Sequence, residues 1–202
     1  MKEILPGIHT WSWWCKEKGM NFNGHAFVRE ATLIVIDPPP FGPGDREALL
    51  ALGKPAEVIL TNRHHDRASR EMRREFGARV WIHEADASDL PEPPDVAFRE
   101  DQALPGGLRA VRVPDNKTPG ECSLWLPAED GSGVLILGDA VVGKPPGSLN
   151  LLPADKYRDV LKARQGLRVL LDLPFDSLLL GDGESFPTAG RSALDRFLES
   201  TP

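Results

Sequence analysis

The order of apolar runs along the chain predicts an α+β fold, two sheets packed together with helices on the outside. Three observations point there. Strands and helices are mixed without the strict strand–helix–strand repeat of a doubly wound sheet. Several strands are short, continuous apolar runs, as expected where both faces are buried. Four apparent strands each run into a loop of polar or charged residues, the pattern expected where loops converge on one edge of a layered fold. The 202 residues suit one domain, residues 1–202, with a substantial core.

The elements follow in order. Residues 3–14, His25 to Arg29, and Ala31 to Asp37 read as strands, the last stopped by Pro38-Pro39-Pro40. Asp45 to Leu52 carries helix formers and ends at Gly53. Ala56 to Leu60 is a strand. Asp66 to Phe76 is helical, with Ala68, Met72 and Phe76 on one face and Gly77 closing it. Arg79 to His83 is a strand, and three more follow at Leu108 to Val113, Cys122 to Leu126 and Val134 to Leu137. A long amphipathic helix is expected over about 154–173, weakened at Gly166. Asp176 to Leu180 is the last strand and Thr188 to Ser200 the last helix.

Composition narrows the function classes. A net charge of -6 argues against nucleic acid, which recruits clustered Lys and Arg. Arg63, Arg67, Arg70, Arg73 and Arg74 form a basic run, read as a solvated helix face balanced by Glu71 and Glu75. Cys15 and Cys122 make no CxxC pair, and Cys122 reads as a small buried apolar residue. No run reaches the ~18–20 apolar residues of a membrane helix. The first residues lack the apolar region of a signal peptide, so a cytoplasmic location is expected and Asn116-Lys117-Thr118 is no glycosylation site. Gly138 to Lys144 spells most of a phosphate-binding loop, but Pro145 replaces the hydroxyl residue that would hold magnesium. Trp11, Trp13 and Trp14 are expected to be core plus one partly exposed ring. The alternative for these rings is an aromatic wall over the site or a partner surface.

The four polar loops are Asn62 to Arg67, Asn116-Lys117-Thr118, Gly138-Asp139 and Gly181-Asp182-Gly183. Their sequence resembles the metallo-β-lactamase superfamily. The first motif of that family, Thr-His-x-His-x-Asp-His, is matched by Thr61-Asn62-Arg63-His64-His65-Asp66-Arg67. The second, Gly-His-Thr-Pro-Gly, is matched by Asn116-Lys117-Thr118-Pro119-Gly120. Gly138-Asp139 matches the third, and Asp182 stands at the late histidine. The resemblance covers nearly the whole chain and implies a four-layer αββα sandwich with a metal site along one edge of its two sheets.

By that resemblance one metal would take Asn62, His64 and Lys117, and a second Asp66, Arg67 and Asp182, with Asp139 bridging. Lysine and arginine offer donors but no free lone pair at neutral pH. The expectation is therefore that the dinuclear zinc site is largely lost and no metal cofactor is held. Lys117 and Arg67 would take the electrostatic place of two ions among Asp66, Asp139 and Asp182. The function expected is that of an inactive or non-classical hydrolase relative. Asn62, His65, Arg67, Lys117 and Asp182 would line its pocket for a small anionic molecule. The alternative is a hydrolase of a small ester, lactone, thioester or phosphoester with one divalent cation, zinc, manganese or magnesium. His64, Asp66 and Asp139 would then carry the chemistry, with Asp182 completing the ligands. Metal-free acid–base catalysis by His64 or His65 with a carboxylate partner is a third reading.

Overall fold

A computed structural model describes residues 1–100, 102–128, 130 and 132–200. Seven strands form one sheet in chain order: β1 (Lys2–Leu5), β2 (Ile8–Cys15), β3 (Met20–Arg29), β4 (Thr32–Ile36), β5 (Pro55–Ile59), β6 (Arg79–His83) and β7 (Val96–Phe98). The first four run antiparallel to their neighbours, and β4 to β7 run parallel. The second sheet has the order β11-β10-β9-β8, from β8 (Arg109–Arg112), β9 (Cys122–Pro127), β10 (Gly133–Leu137) and β11 (Ser177–Leu180). Only its β10–β11 pair is parallel.

Side-chain alternation along the strands builds the layers. In β4, Ile34 and Ile36 point to a cluster shared with Leu124, Ile136 and Leu179 of the second sheet. Leu33 and Val35 point the other way, onto Leu49 of α1 (Asp45–Leu52) and Met72 and Phe76 of α2 (Ser69–Phe76). In the second sheet Leu135, Leu137, Leu178 and Leu180 face outward onto Leu167, Leu170 and, from α5 (Gly190–Glu199), Ala193, Leu194 and Leu198. Helix, sheet, sheet, helix is the sandwich expected from the sequence.

Several boundaries differ from the sequence reading. Residues 3–14 are two strands, folded back at Gly7, whose φ of 74° is open to glycine. Strand β3 starts at Met20 rather than His25. Helix α2 starts at Ser69, and a 3-10 turn, Arg63–His65, precedes it. The expected long helix over 154–173 is instead a 3-10 turn (Ala154–Lys156), α4 (Val160–Gly166) and a second 3-10 turn (Leu167–Asp172). Asp159 caps α4 by accepting from the Leu161 and Lys162 amides, which fixes a start in mid-segment. Gly166 lies against the Pro114 carbonyl with no room for a Cβ. The short elements α3 (Glu84–Ala87) and β7 complete the order, with the His83 ring capping α3 by accepting from the Ala85 amide at 3.2 Å.

Two surface expectations change. Trp11 is buried and stacks on Phe41, but Trp13 and Trp14, in the exposed second half of β2, are both exposed. The basic run is not balanced by Glu71 and Glu75. Arg63 pairs with Asp89, Arg73 with Asp95, Arg74 with Glu92 and Arg67 with Asp182, while Glu75 serves Arg46.

Candidate functional site

Parallel pairing gathers the site. Strands β4 and β5 end together at Ile36 and Ile59, so Asp37 and Thr61 leave the first sheet side by side. Strands β10 and β11 end together at Leu137 and Leu180, so Gly138-Asp139 and Gly181-Asp182 leave the second sheet side by side. The two edges are tied by the Cys122 amide on the Thr61 carbonyl (2.9 Å) and the Asn23 amide on the Gly181 carbonyl (2.7 Å). Glycine is required twice in this corner. A Cβ at Gly138 would run into Thr61 Oγ1, and one at Gly181 would lie 2.6 Å from His65 Cε1.

His65 is the centre of the arrangement. The 3-10 turn, followed by Arg67 in the left-handed region (φ 33°), turns its ring into the protein, where it is 1% exposed. Nδ1 lies 2.7 Å from Asp37 Oδ2, and Nε2 lies 3.7 Å from Asp139 Oδ1. Asp37 is also buried and left-handed (φ 48°), and it accepts from the Thr61 amide and hydroxyl at 2.9 and 2.6 Å. Burial and the nearby Arg67 guanidinium both act to lower the His65 pKa, but Asp37 and Asp139 outweigh them and hold it up at about 10. Burial alone would raise the Asp139 carboxyl; His65 and Lys117 reverse this and hold it well below the usual carboxylate range.

Two further cations close the floor. Lys117 Nζ donates to Asp139 Oδ2 at 2.7 Å. Arg67 donates to Asp182, reaches the Gly181 carbonyl at 3.3 Å, and brings Nη2 within 3.2 Å of His65 Nε2. Its guanidinium lies over the Phe22 ring, 4.1 Å from the centroid, which adds a cation–π contact. Three carboxylates (Asp37, Asp139, Asp182) thus meet three cationic groups in one buried corner. Such a buried cluster is stable only when every charge has its partner.

The remaining sequence-selected residues fall differently. His64 is exposed, lines the cavity, and has its pKa lowered by burial and by Lys117. Asn62 is wholly buried, and its Oδ1 caps the turn by accepting from the His64 amide at 2.8 Å. Asp66 turns away from Asp139: it accepts from the Ser69 hydroxyl and pairs with Arg70 at 3.4 Å. It was expected among the charge cluster, and Asp37 stands there instead. Nothing in the spacing announces Asp37, because it lies 28 residues from His65 and ends a strand like any turn aspartate.

Two buried acids behind the floor were also not singled out from the sequence. Asp86 accepts from the Arg63 amide (3.1 Å), the Thr118 hydroxyl (2.7 Å) and the Gly120 amide (3.1 Å), and so ties the His64 turn to the Lys117 loop. Glu121 accepts from the Ala140 amide at 3.1 Å, while its other oxygen has no partner. Burial, then Asp139, pushes its pKa well up.

The cavity over this floor has a volume of about 500 Å³. His65 Nε2 and carboxylate oxygens of Asp139 and Asp182 lie within 4.8 Å of one another, a candidate three-ligand set for one metal ion among the described residues. The set differs from the one expected from the sequence, with His65 in place of His64 and without Asp66. The donors do not fit an ion as they stand. Lys117 occupies Asp139, and Arg67 Nη2 sits against both Asp182 and His65 Nε2.

The fold and this edge site define the class. A family model described as the metallo-β-lactamase superfamily matches residues 1–201, and the chain belongs to that superfamily. No curated protein matches it. Among solved structures, a metallo-β-lactamase from Cronobacter sakazakii with a HARLDQ motif is similar at 21% identity, covering 98% of this chain and 92% of that one, with a TM-score of 0.69. A metallo-β-lactamase from Pontibacter korlensis is similar at 20% identity, 96% and 94% coverage and a TM-score of 0.71. VMB-1 at pH 5.5 is 14% identical, with 98% and 93% coverage and a TM-score of 0.76. At these identities the likeness is one of fold. No described helix is long and apolar enough to cross a membrane.

Proposed function

We propose that this chain is a superfamily member in which Arg67 and Lys117 stand in for metal ions, and that its pocket binds a small anionic molecule. One observation carries the first half. Arg67 Nη2 lies against two of the three candidate ligands, at the place an ion between them would need. A guanidinium there supplies fixed positive charge to the carboxylates without open coordination positions. The cavity supports the second half. Its walls carry five lysine and arginine side chains (Lys18, Arg67, Lys117, Lys144, Lys156) against two carboxylates, in a chain whose net charge is -6.

Metal analysis of protein expressed with added zinc and manganese tests the proposal. The expected result is far less than one ion per chain, and an unchanged melting temperature on adding a chelator. Near-stoichiometric metal that survives dialysis would overturn it.

The candidate triad favours a second reading, a hydrolase of a small ester, lactone, thioester or phosphoester with one divalent cation on His65, Asp139 and Asp182. A cation there would supply Lewis acidity. His65 would have to give up its Nε2 proton, and Arg67 would have to leave the triad.

A further inference from the structure

Resting on the reading of this site as an anion pocket, we propose that its ligand is an amphiphilic anion: a phosphate or carboxylate at the rim attached to an apolar body inside the cavity. The charge on the floor is spent internally, since Lys117 faces Asp139 and Arg67 faces Asp182. The cations left to meet a ligand are the exposed rim lysines Lys18, Lys144 and Lys156.

Lys144 donates to the Lys18 carbonyl at 2.6 Å, which brings it to the Lys18 side of the opening. Lys18 and Lys156 do pair with their chain neighbours Glu17 and Asp155. Exposed pairs of that kind contribute little and yield to a better anion. An anionic group at the opening meets three ammonium groups held only by exposed carboxylates or by a backbone carbonyl, partners it can displace.

Beside these charges, and with His64 and Asn150, the cavity is lined by apolar residues. Met20 and Phe22 come from β3, Val142 from the loop after β10, and Leu151 and Leu152 from the segment before the Ala154–Lys156 turn. Inorganic phosphate or a small hydroxy acid would leave this wall in water. A ligand with an attached alkyl or aryl body removes it, and the apolar area buried adds to affinity. Charge at the opening and apolar surface behind it are both needed to account for the lining.

Calorimetric titration of the full chain with octyl phosphate, inorganic phosphate and octanol tests this. Octyl phosphate, kept below its micelle-forming concentration, is expected to bind at one site at least about tenfold more tightly than either fragment. The Lys144→Ala, Lys156→Ala double variant, altered only at exposed positions, should lower octyl phosphate affinity about tenfold while leaving octanol unchanged. Phosphate binding as tightly as octyl phosphate would overturn the amphiphile and leave the anion pocket standing. Octanol binding as tightly, or no binding by any of the three, would overturn both. Binding that the double variant leaves intact would place the ligand elsewhere, for instance on exposed Trp13 and Trp14, and would also overturn the proposal.

Discussion

The floor and the rim of the same cavity use their charges in different ways. At the floor, Asp37, Asp139 and Asp182 are buried, and each faces a cation within the protein. At the rim, Lys18, Lys144 and Lys156 are exposed and paired weakly or with backbone. A buried charge must be satisfied in the folded state itself, so the floor belongs to stability. An exposed charge is satisfied by water until something displaces it, so the rim is where the proposed ligand would be met.

The largest effect on this contrast should come from Arg67→Ala. It leaves the buried Asp182 carboxylate without its cation, at a cost of about 3–5 kcal/mol, or a fall of roughly 6–20 °C in Tm. Replacing both partners, Arg67→Met with Asp182→Leu, should recover most of that loss, since a buried pair is costly mainly when half broken. Thermal melts of the three proteins would check this. An Arg67→Ala protein as stable as the parent would dissolve the distinction between floor and rim.

The second effect is in pH. His25 is fully buried beside Leu180, Asp37 and Arg67, and burial lowers its pKa to about 4. Its neutral ring favours the fold above the unfolded pKa, and that contribution is lost as pH falls from about 6.5 to 4, by roughly 3 kcal/mol. His65 has the opposite sign. With its pKa held up at about 10, its contribution is complete below about 6.5 and is lost as pH rises toward 10. Urea midpoints from pH 4 to 10 should therefore peak near neutrality. His25→Gln should flatten the acid limb, and a variant lacking Asp37 should flatten the alkaline one.

A smaller change is expected at Glu121→Gln. Burial favours the neutral acid, and an amide keeps its acceptor for the Ala140 amide, so stability should move by about 1 kcal/mol or less. A loss of several kcal/mol would mean that Glu121 is ionised in the fold. Smallest of all, Lys144→Ala should leave stability within about 0.5 kcal/mol while it weakens anion binding.

Much of the fold was legible because period-2 alternation and buried apolar runs are local. Leu33, Ile34, Val35 and Ile36 alone assign two faces to two different neighbours. The four polar loops were legible for the same reason, as each interrupts a strand. What lay outside local reach was the direction of individual side chains. His64 and His65 are adjacent, and only the 3-10 turn and the left-handed Arg67 decide that His65 turns inward. Asp66 is captured by Ser69 and Arg70, and its place is taken by Asp37, a long-range choice with no motif. The expected long helix failed for a similar reason, since Asp159 and the Pro114 contact at Gly166 act through geometry rather than propensity.

On this reading a guanidinium and an ammonium fill the place of metal ions. Diffraction from crystals grown in excess zinc, measured on both sides of the zinc absorption edge, tests it most directly. The prediction is density for the Arg67 guanidinium between His65 and Asp182, Lys117 on Asp139, and no anomalous peak at the triad. An anomalous peak within bonding distance of His65, Asp139 and Asp182, with Arg67 swung away, would contradict it.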